Sequence, residues 1–167
     1  MGKRGLLLAL ITTAGLASAC GPGPGAAPCP AIAQATAVSV TVSANYAPQV
    51  ASLHLKACQD GTCREADLEL MPGTTAVDLG CEPPAGPDGT CSATSSPDGT
   101  LTGMLMMDVL TESRIDATAT GTSTAGTPLP ERTLSFLPRA EYPYGEQCGK
   151  FVTAGVLLDA DGLRQAG

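Results

Sequence analysis

Hydrophobic and polar positions alternate along much of this chain in short runs of period two, the pattern of strands that are buried on one face. "AVSVTVSA" (37–44) sets Val38, Val40 and Val42 on one face, with Ser39 and Thr41 on the other. The alternation recurs in "TAVDLGC" (75–81), "RIDATATG" (114–121), "RTLSFLP" (132–138) and "FVTAGVLLD" (151–159). Its aligned apolar positions include Val77 with Leu79, Ile115 with Ala117 and Ala119, and Leu134 with Phe136. "CSATS" and "TLTGMLMMDV" flank Ser96-Pro97-Asp98-Gly99, whose residue types predict a hairpin turn between two strands. No stretch carries a convincing helical period. Twenty glycines and fourteen prolines favour turns over long helices.

The segment "VASLHLKACQDGTCREADLEL" (50–70) can be read in register. Asp60-Gly61 is a strong two-residue hairpin turn, because both positions tolerate a left-handed backbone. Centring the turn there opposes Gln59 to Thr62 and Cys58 to Cys63. One face then receives Leu55–Ala66, Leu53–Leu68 and Ala51–Leu70. The other receives Lys56–Glu65, His54–Asp67 and Ser52–Glu69, with two complementary charge pairs if His54 is protonated. Cys58 and Cys63 fall at a non-hydrogen-bonded pair, where side chains are closest and a disulfide fits.

Eight or nine short strands without a helix predict an all-β fold, two antiparallel sheets packed as a disulfide-stabilised immunoglobulin-like β-sandwich. A small Greek-key barrel is the alternative. The Cys…Trp…Cys core signature of true immunoglobulin domains is absent, since the chain has no tryptophan.

The first twenty residues, "MGKRGLLLALITTAGLASAC", have a different pattern. A basic start at Lys3 and Arg4 precedes an apolar run from Leu6 through Leu16 and small residues at 17–19, the layout of an export signal. The run is too short and too broken by Gly and Thr for a membrane span. Ala17-Ser18-Ala19 suits an ordinary secretory peptidase. It also resembles the lipobox of bacterial lipoproteins, in which small residues precede a cysteine that is diacylated and becomes the first residue. The match departs from the commonest form at Ala17, where Leu is usual. The expected layout is a signal peptide over 1–19, a lipidated cysteine with a Gly/Pro/Ala spacer over 20–35, and one β-domain over 36–167.

Seven cysteines sharpen the choice for Cys20, because an odd number in an exported chain leaves one otherwise used. With Cys20 acylated, six remain for three disulfides. Cys58–Cys63 follows from the hairpin, and Cys81–Cys91 brackets the turn-rich "CEPPAGPDGTC". Cys29–Cys148 is assigned only by elimination among fifteen connectivities. A Cys20 disulfide in a soluble secreted protein is the competing arrangement.

Charge then removes one class of partner. Sixteen acidic and nine basic residues give a net charge of −7, and loss of Lys3 and Arg4 leaves seven basic against sixteen acidic, about −9. Nucleic acid needs basic patches and is excluded as a partner. The expected partners are the lipid bilayer, through acylated (palmitate-type) Cys20, and an envelope protein or small ligand.

Candidate chemistry is sparse. His54, the single histidine, reads as a surface pair with Asp67, and no G-x-S-x-G elbow selects a nucleophile. An envelope hydrolase is therefore the minor alternative, and no catalytic, metal or cofactor residue is assigned. Met104, Met106 and Met107 default to core filling. Asp159-Ala160-Asp161-Gly162 reads as a hairpin-type turn rather than a calcium loop. Tyr46, Tyr142 and Tyr144, all the tyrosines of the chain, are possible interface anchors.

"LHLKACQDGTCREA", the turn-and-cysteine region 81–91 and "EYPYGEQCG" resemble segments of small exported lipoprotein-type β-domains of high-G+C Gram-positive (actinobacterial) bacteria. The resemblance extends over most of residues 29–162. It implies a sandwich-like domain held at the extracytoplasmic face of the cell membrane. It implies no activity and carries over no site residue.

Overall fold

The computed structural model describes residues 28–81 and 90–166. Its hairpin joins β2 (Val50–Gln59) to β3 (Thr62–Asp67) in the expected register, with Gln59 opposite Thr62, Cys58 opposite Cys63 and His54 opposite Asp67. Asp60 and Gly61 have φ of 50° and 79°, the two consecutive left-handed residues that this turn requires. Leu53, Leu55 and Ala57 point into the core. Every residue of β3, an edge strand, is exposed, Ala66 included.

Two outer pairings differ from expectation. Neither Ala51–Leu70 nor Ser52–Glu69 forms, since β3 ends at Asp67. Strand β2 bulges between Val50 and Ser52, and the Ser52 hydroxyl lies 2.6 Å from that of Thr122 on β6 (Ile115–Ser123). Leu68 still donates its N–H to the Leu53 carbonyl at 2.8 Å. The chain then crosses to the other sheet.

That sheet contains β1 (Ala37–Val42), β4 (Met71–Cys81), β5 (Cys91–Met106), β9 (Phe151–Leu158) and β10 (Leu163–Gln165), in the order β10-β9-β1-β5-β4. A three-residue β8 (Arg139–Glu141) shares the outer edge of β9 with β10. The second sheet has the order β3-β2-β6-β7, with β7 at Arg132–Phe136. All pairings are antiparallel except β1 with β9, which run parallel from Val38↔Ala154 to Val42↔Leu158. The fold is thus all-β with one mixed and one antiparallel sheet. An entirely antiparallel arrangement was expected.

The alternating positions of both sheets meet in one hydrophobic cluster. Val38, Val40, Val42, Ala154, Val156 and Leu158 come from the first sheet, and Leu53, Leu55, Ile115, Ala117 and Phe136 from the second. Small and β-branched side chains fill the interior where aromatic residues are scarce. Gly121 permits close approach at the β2 bulge, since a Cβ there would collide with the Ser52 carbonyl oxygen and lie 3.2 Å from the Leu53 Cα.

Residues 96–99 do not turn the chain back. They lie inside β5, one strand of sixteen residues. Thr74 pairs with Pro97 and Pro72 with Leu101, so β5 carries extra residues at Asp98-Gly99 against a β4 that runs through. The Asp98 carboxylate accepts from the Thr100 N–H (2.9 Å) and hydroxyl (2.7 Å), and Gly99 takes φ of 81°. The turn chemistry is real, but it makes a bulge.

Candidate functional site

The two ends of the first sheet differ in composition and shape. At the leading end lie the starts of β1 and β9, the end of β5 and the β2–β3 turn. The extended residues before β1 are fastened there, because Cys29 is bonded to Cys148 and the Gln34 amide donates to the Val152 carbonyl at 2.6 Å. The Met107 N–H donates to the Thr36 carbonyl at 2.8 Å. Across the gap, the Gln59 amide holds the 107–113 loop through the Thr111 and Ser113 carbonyls (3.0 and 2.7 Å) and the Thr111 N–H (3.0 Å). A buried glutamine with three partners is satisfied, so it pins a loop rather than awaiting a ligand.

Two clefts open at this end, of about 260 and 300 Å³, and they share Asp108 and Val109 as a dividing wall. The first is bounded by Asp60, Arg64 and Met107, the second by Gln34, Lys150 and Val152. Ion pairs Arg64–Asp108 and Lys150–Glu112 close their rims. Hydrogen bonding to Glu112 holds the Lys150 ammonium above the ordinary lysine range. Volumes at the bottom of the range for small-molecule sites, with paired charges, suit small solutes rather than a buried organic ligand.

At the far end the β4–β5 pair outruns the rest of the sheet. Val42 of β1 pairs with Leu101, and among the described residues no strand pairs β5 before that point except β4. Thr74–Cys81 and Cys91–Pro97 therefore form a free two-stranded ribbon, about 23 Å long at the usual rise of 3.3 Å per residue. Its side chains are exposed nearly throughout, Val77 and Leu79 included, and Cys81–Cys91 is bonded near its tip.

The remaining candidates fall into place around these ends. His54 Nδ1 lies 2.8 Å from Asp67 Oδ1, and Lys56 is 3.9 Å from Glu65, both on the outer face of the second sheet. The cross-strand neighbours of His54 are Asp67 and Thr120, so no serine stands opposite it. Asp159 caps the β9–β10 turn, accepting the N–H groups of Asp161 and Gly162 (3.0 Å each) and pairing with Arg164 at 3.1 Å. Loss of hydration raises its carboxyl, but these hydrogen bonds together hold it below the usual carboxylate range. The Asp98 carboxyl is also lowered, chiefly by the Thr100 hydroxyl. Among the described residues no three His, Cys, Asp or Glu side chains are grouped to hold a metal.

The tyrosines do not share a surface. Tyr46, only 7% exposed, belongs to the core, held where its N–H and that of Ala47 bond the Ser43 carbonyl. It sits toward the ribbon end and is unavailable as an anchor. Tyr142 and Tyr144 are 47% and 39% exposed at the leading end, with Tyr144 edge-on to Phe151 at 6.0 Å. The methionines divide by strand parity. Met107 is buried, but Met104 and Met106 stand 54% and 59% exposed on the outer face of the first sheet, contrary to core filling.

The signal segment 1–19, Cys20 and the spacer up to residue 27 lie outside the described residues, as do residues 82–89 between Cys81 and Cys91. Among the described residues no helix is long and apolar enough to cross a membrane. Comparison with protein-family models, curated proteins and solved structures finds no match.

Proposed function

We propose that the chain is an exported lipoprotein whose β-domain is a non-enzymatic binding or structural module of the cell envelope, held at the extracytoplasmic face of the membrane by acylated Cys20. Cysteine pairing carries the proposal. Six cysteines close three disulfides, Cys29–Cys148, Cys58–Cys63 and Cys81–Cys91. Such bonds persist in oxidising compartments, and the seventh cysteine is the one that directly follows "LASA". Stable anchoring needs more than one acyl chain, which the lipoprotein modification of a cysteine supplies.

Two sheets around one core, with the first strand parallel to a late one, support an immunoglobulin-like sandwich as the finer description of the fold. The ribbon is the natural contact element of such a module. It is stiffened near its tip by a disulfide, carries exposed Val77 and Leu79, and projects away from the end where the leading segment attaches. His54 and Asp67 form a hydrogen-bonded pair on the outer face of the second sheet, and no serine stands opposite His54 among the described residues.

Intact-mass measurement of the protein from a lipoprotein-processing host, before and after thiol reduction, tests the proposal. The expected chain begins at a diacylated Cys20 and gains six hydrogens on reduction. An unmodified Cys20, or one bonded to another cysteine, rejects it in favour of a soluble secreted protein.

A further inference from the structure

The leading end presents an apolar rim beside the point where the chain comes in. Ile32 is exposed between two fastened residues, Cys29 and Gln34. Val109 is exposed where it walls the cleft that Gln34 and Lys150 also line. Tyr142 directly follows Glu141, which pairs with Phe151, the first residue of β9, and Tyr144 packs edge-on against the same Phe151. Four large exposed side chains from three separate segments thus ring one end of the domain. Two of them are tyrosines, whose apolar ring and polar hydroxyl suit the boundary between headgroups and acyl chains.

We infer that this rim (Ile32, Val109, Tyr142 and Tyr144) rests in the interfacial layer of the lipid bilayer, so that the domain stands on its leading end with the ribbon directed outward. The inference rests on acylation of Cys20. The length of chain outside the structure selects the occupant. From Cys20 to the fastened Cys29 is nine residues, at most about 32 Å when fully extended. The leading end is therefore held within a few nanometres of the bilayer surface, where even a weakly lipophilic patch is at high effective concentration. Arg64–Asp108 and Lys150–Glu112 neutralise one another in pairs, whereas Asp60, Glu141 and Glu146 at the same end have no ion-pair partner among the described residues. The acidity of the chain as a whole makes apolar contact, rather than attraction to anionic lipid, the basis of docking.

The chain has no tryptophan, so one introduced indole reports its own surroundings. Full-length lipidated Y142W and L79W proteins, both changed at exposed positions, would be reconstituted into phosphatidylcholine vesicles with and without lipids brominated high on the acyl chains. Docking at headgroup depth predicts that bromolipid lowers Y142W emission about twofold and leaves L79W emission unchanged. Equal quenching at the two positions, or none at Y142W, in protein whose mass shows acylated Cys20, overturns the docking and leaves the anchor standing. Absence of lipid on Cys20 in the same mass spectrum overturns both.

Discussion

Removing the Cys29–Cys148 bond tests how the leading segment is attached. The bond spans 119 residues, so in the unfolded chain it closes a long loop. In the folded protein without it, the cysteines are still kept close by the Gln34–Val152 hydrogen bond, leaving only about five residues free. The stabilisation is the difference between two loop closures, (3/2)RT ln(119/5), about 2.8 kcal/mol. For a domain of this size that corresponds to about 6–11 °C in melting temperature. Urea unfolding of C29S/C148S beside the parent, in oxidising buffer, measures the loss. The m value should rise, because the unfolded chain loses a cross-link that kept it compact. A loss under about 1 kcal/mol would refute the reasoning, showing that the leading segment is already loose in the folded state. A loss near the full loop cost, about 5 kcal/mol, would refute it from the other side, with the segment held rigidly by contacts other than the bond.

Three further outcomes follow from the packing. Leu55→Ala empties a fully buried position between the sheets and should cost about 2–5 kcal/mol in chemical denaturation. Gly121→Ala drives a methyl into the Ser52 carbonyl at the β2 bulge and should cost about 1–3 kcal/mol, whereas an unchanged midpoint would mean that the bulge relaxes freely. Asp159→Asn should flatten the acid limb of the stability curve. The Asp159 carboxyl is lowered in the fold, so its stabilisation is present above the unfolded value of about 4 and fades as pH falls through the folded one. Parent and variant should therefore differ by a constant amount at neutral pH and converge on acidification.

Much of the core was legible because period-two alternation acts locally. Val38, Val40 and Val42, Leu53 and Leu55, and Ile115, Ala117 and Ala119 were all assigned their inner face by spacing, and all are buried. The β2–β3 register was legible because turn chemistry and face separation agreed at Asp60-Gly61. Asp98-Gly99 misled because the same left-handed glycine serves a hairpin turn and a bulge, and the choice depends on whether the partner strand ends or continues. Strands β8 and β10, three residues each, are too short for a period to register. Tyr46 and the exposed pair Met104 and Met106 depart from expectation for one reason. Residue type suggests a role, but exposure is decided by which element covers the position. The parallel β1–β9 pair had no local signal, since it joins segments more than a hundred residues apart.

Strand β1 is the element on which the two ends of the molecule meet. Chain entering at Cys29 reaches β1 within eight residues, and a six-pair ladder from Ala37↔Met106 to Val42↔Leu101 joins β1 to the strand that becomes the ribbon. The disulfide provides a second route, from Cys29 to Cys148 and into β9, which flanks β1 on its other side. Tension between an anchored leading end and a held ribbon tip would run along these ladders rather than across them. The hydrogen bonds of each ladder are then loaded together instead of one after another from an end. The disulfide also makes the strand pair β1–β9 share the load before any core contact is disturbed. Forced extension between the leading end and the ribbon tip should therefore require a higher force in the parent than in C29S/C148S, in which only β1 receives the pull. Equal rupture forces would show that β1 and its ladder to β5 carry the tension unaided.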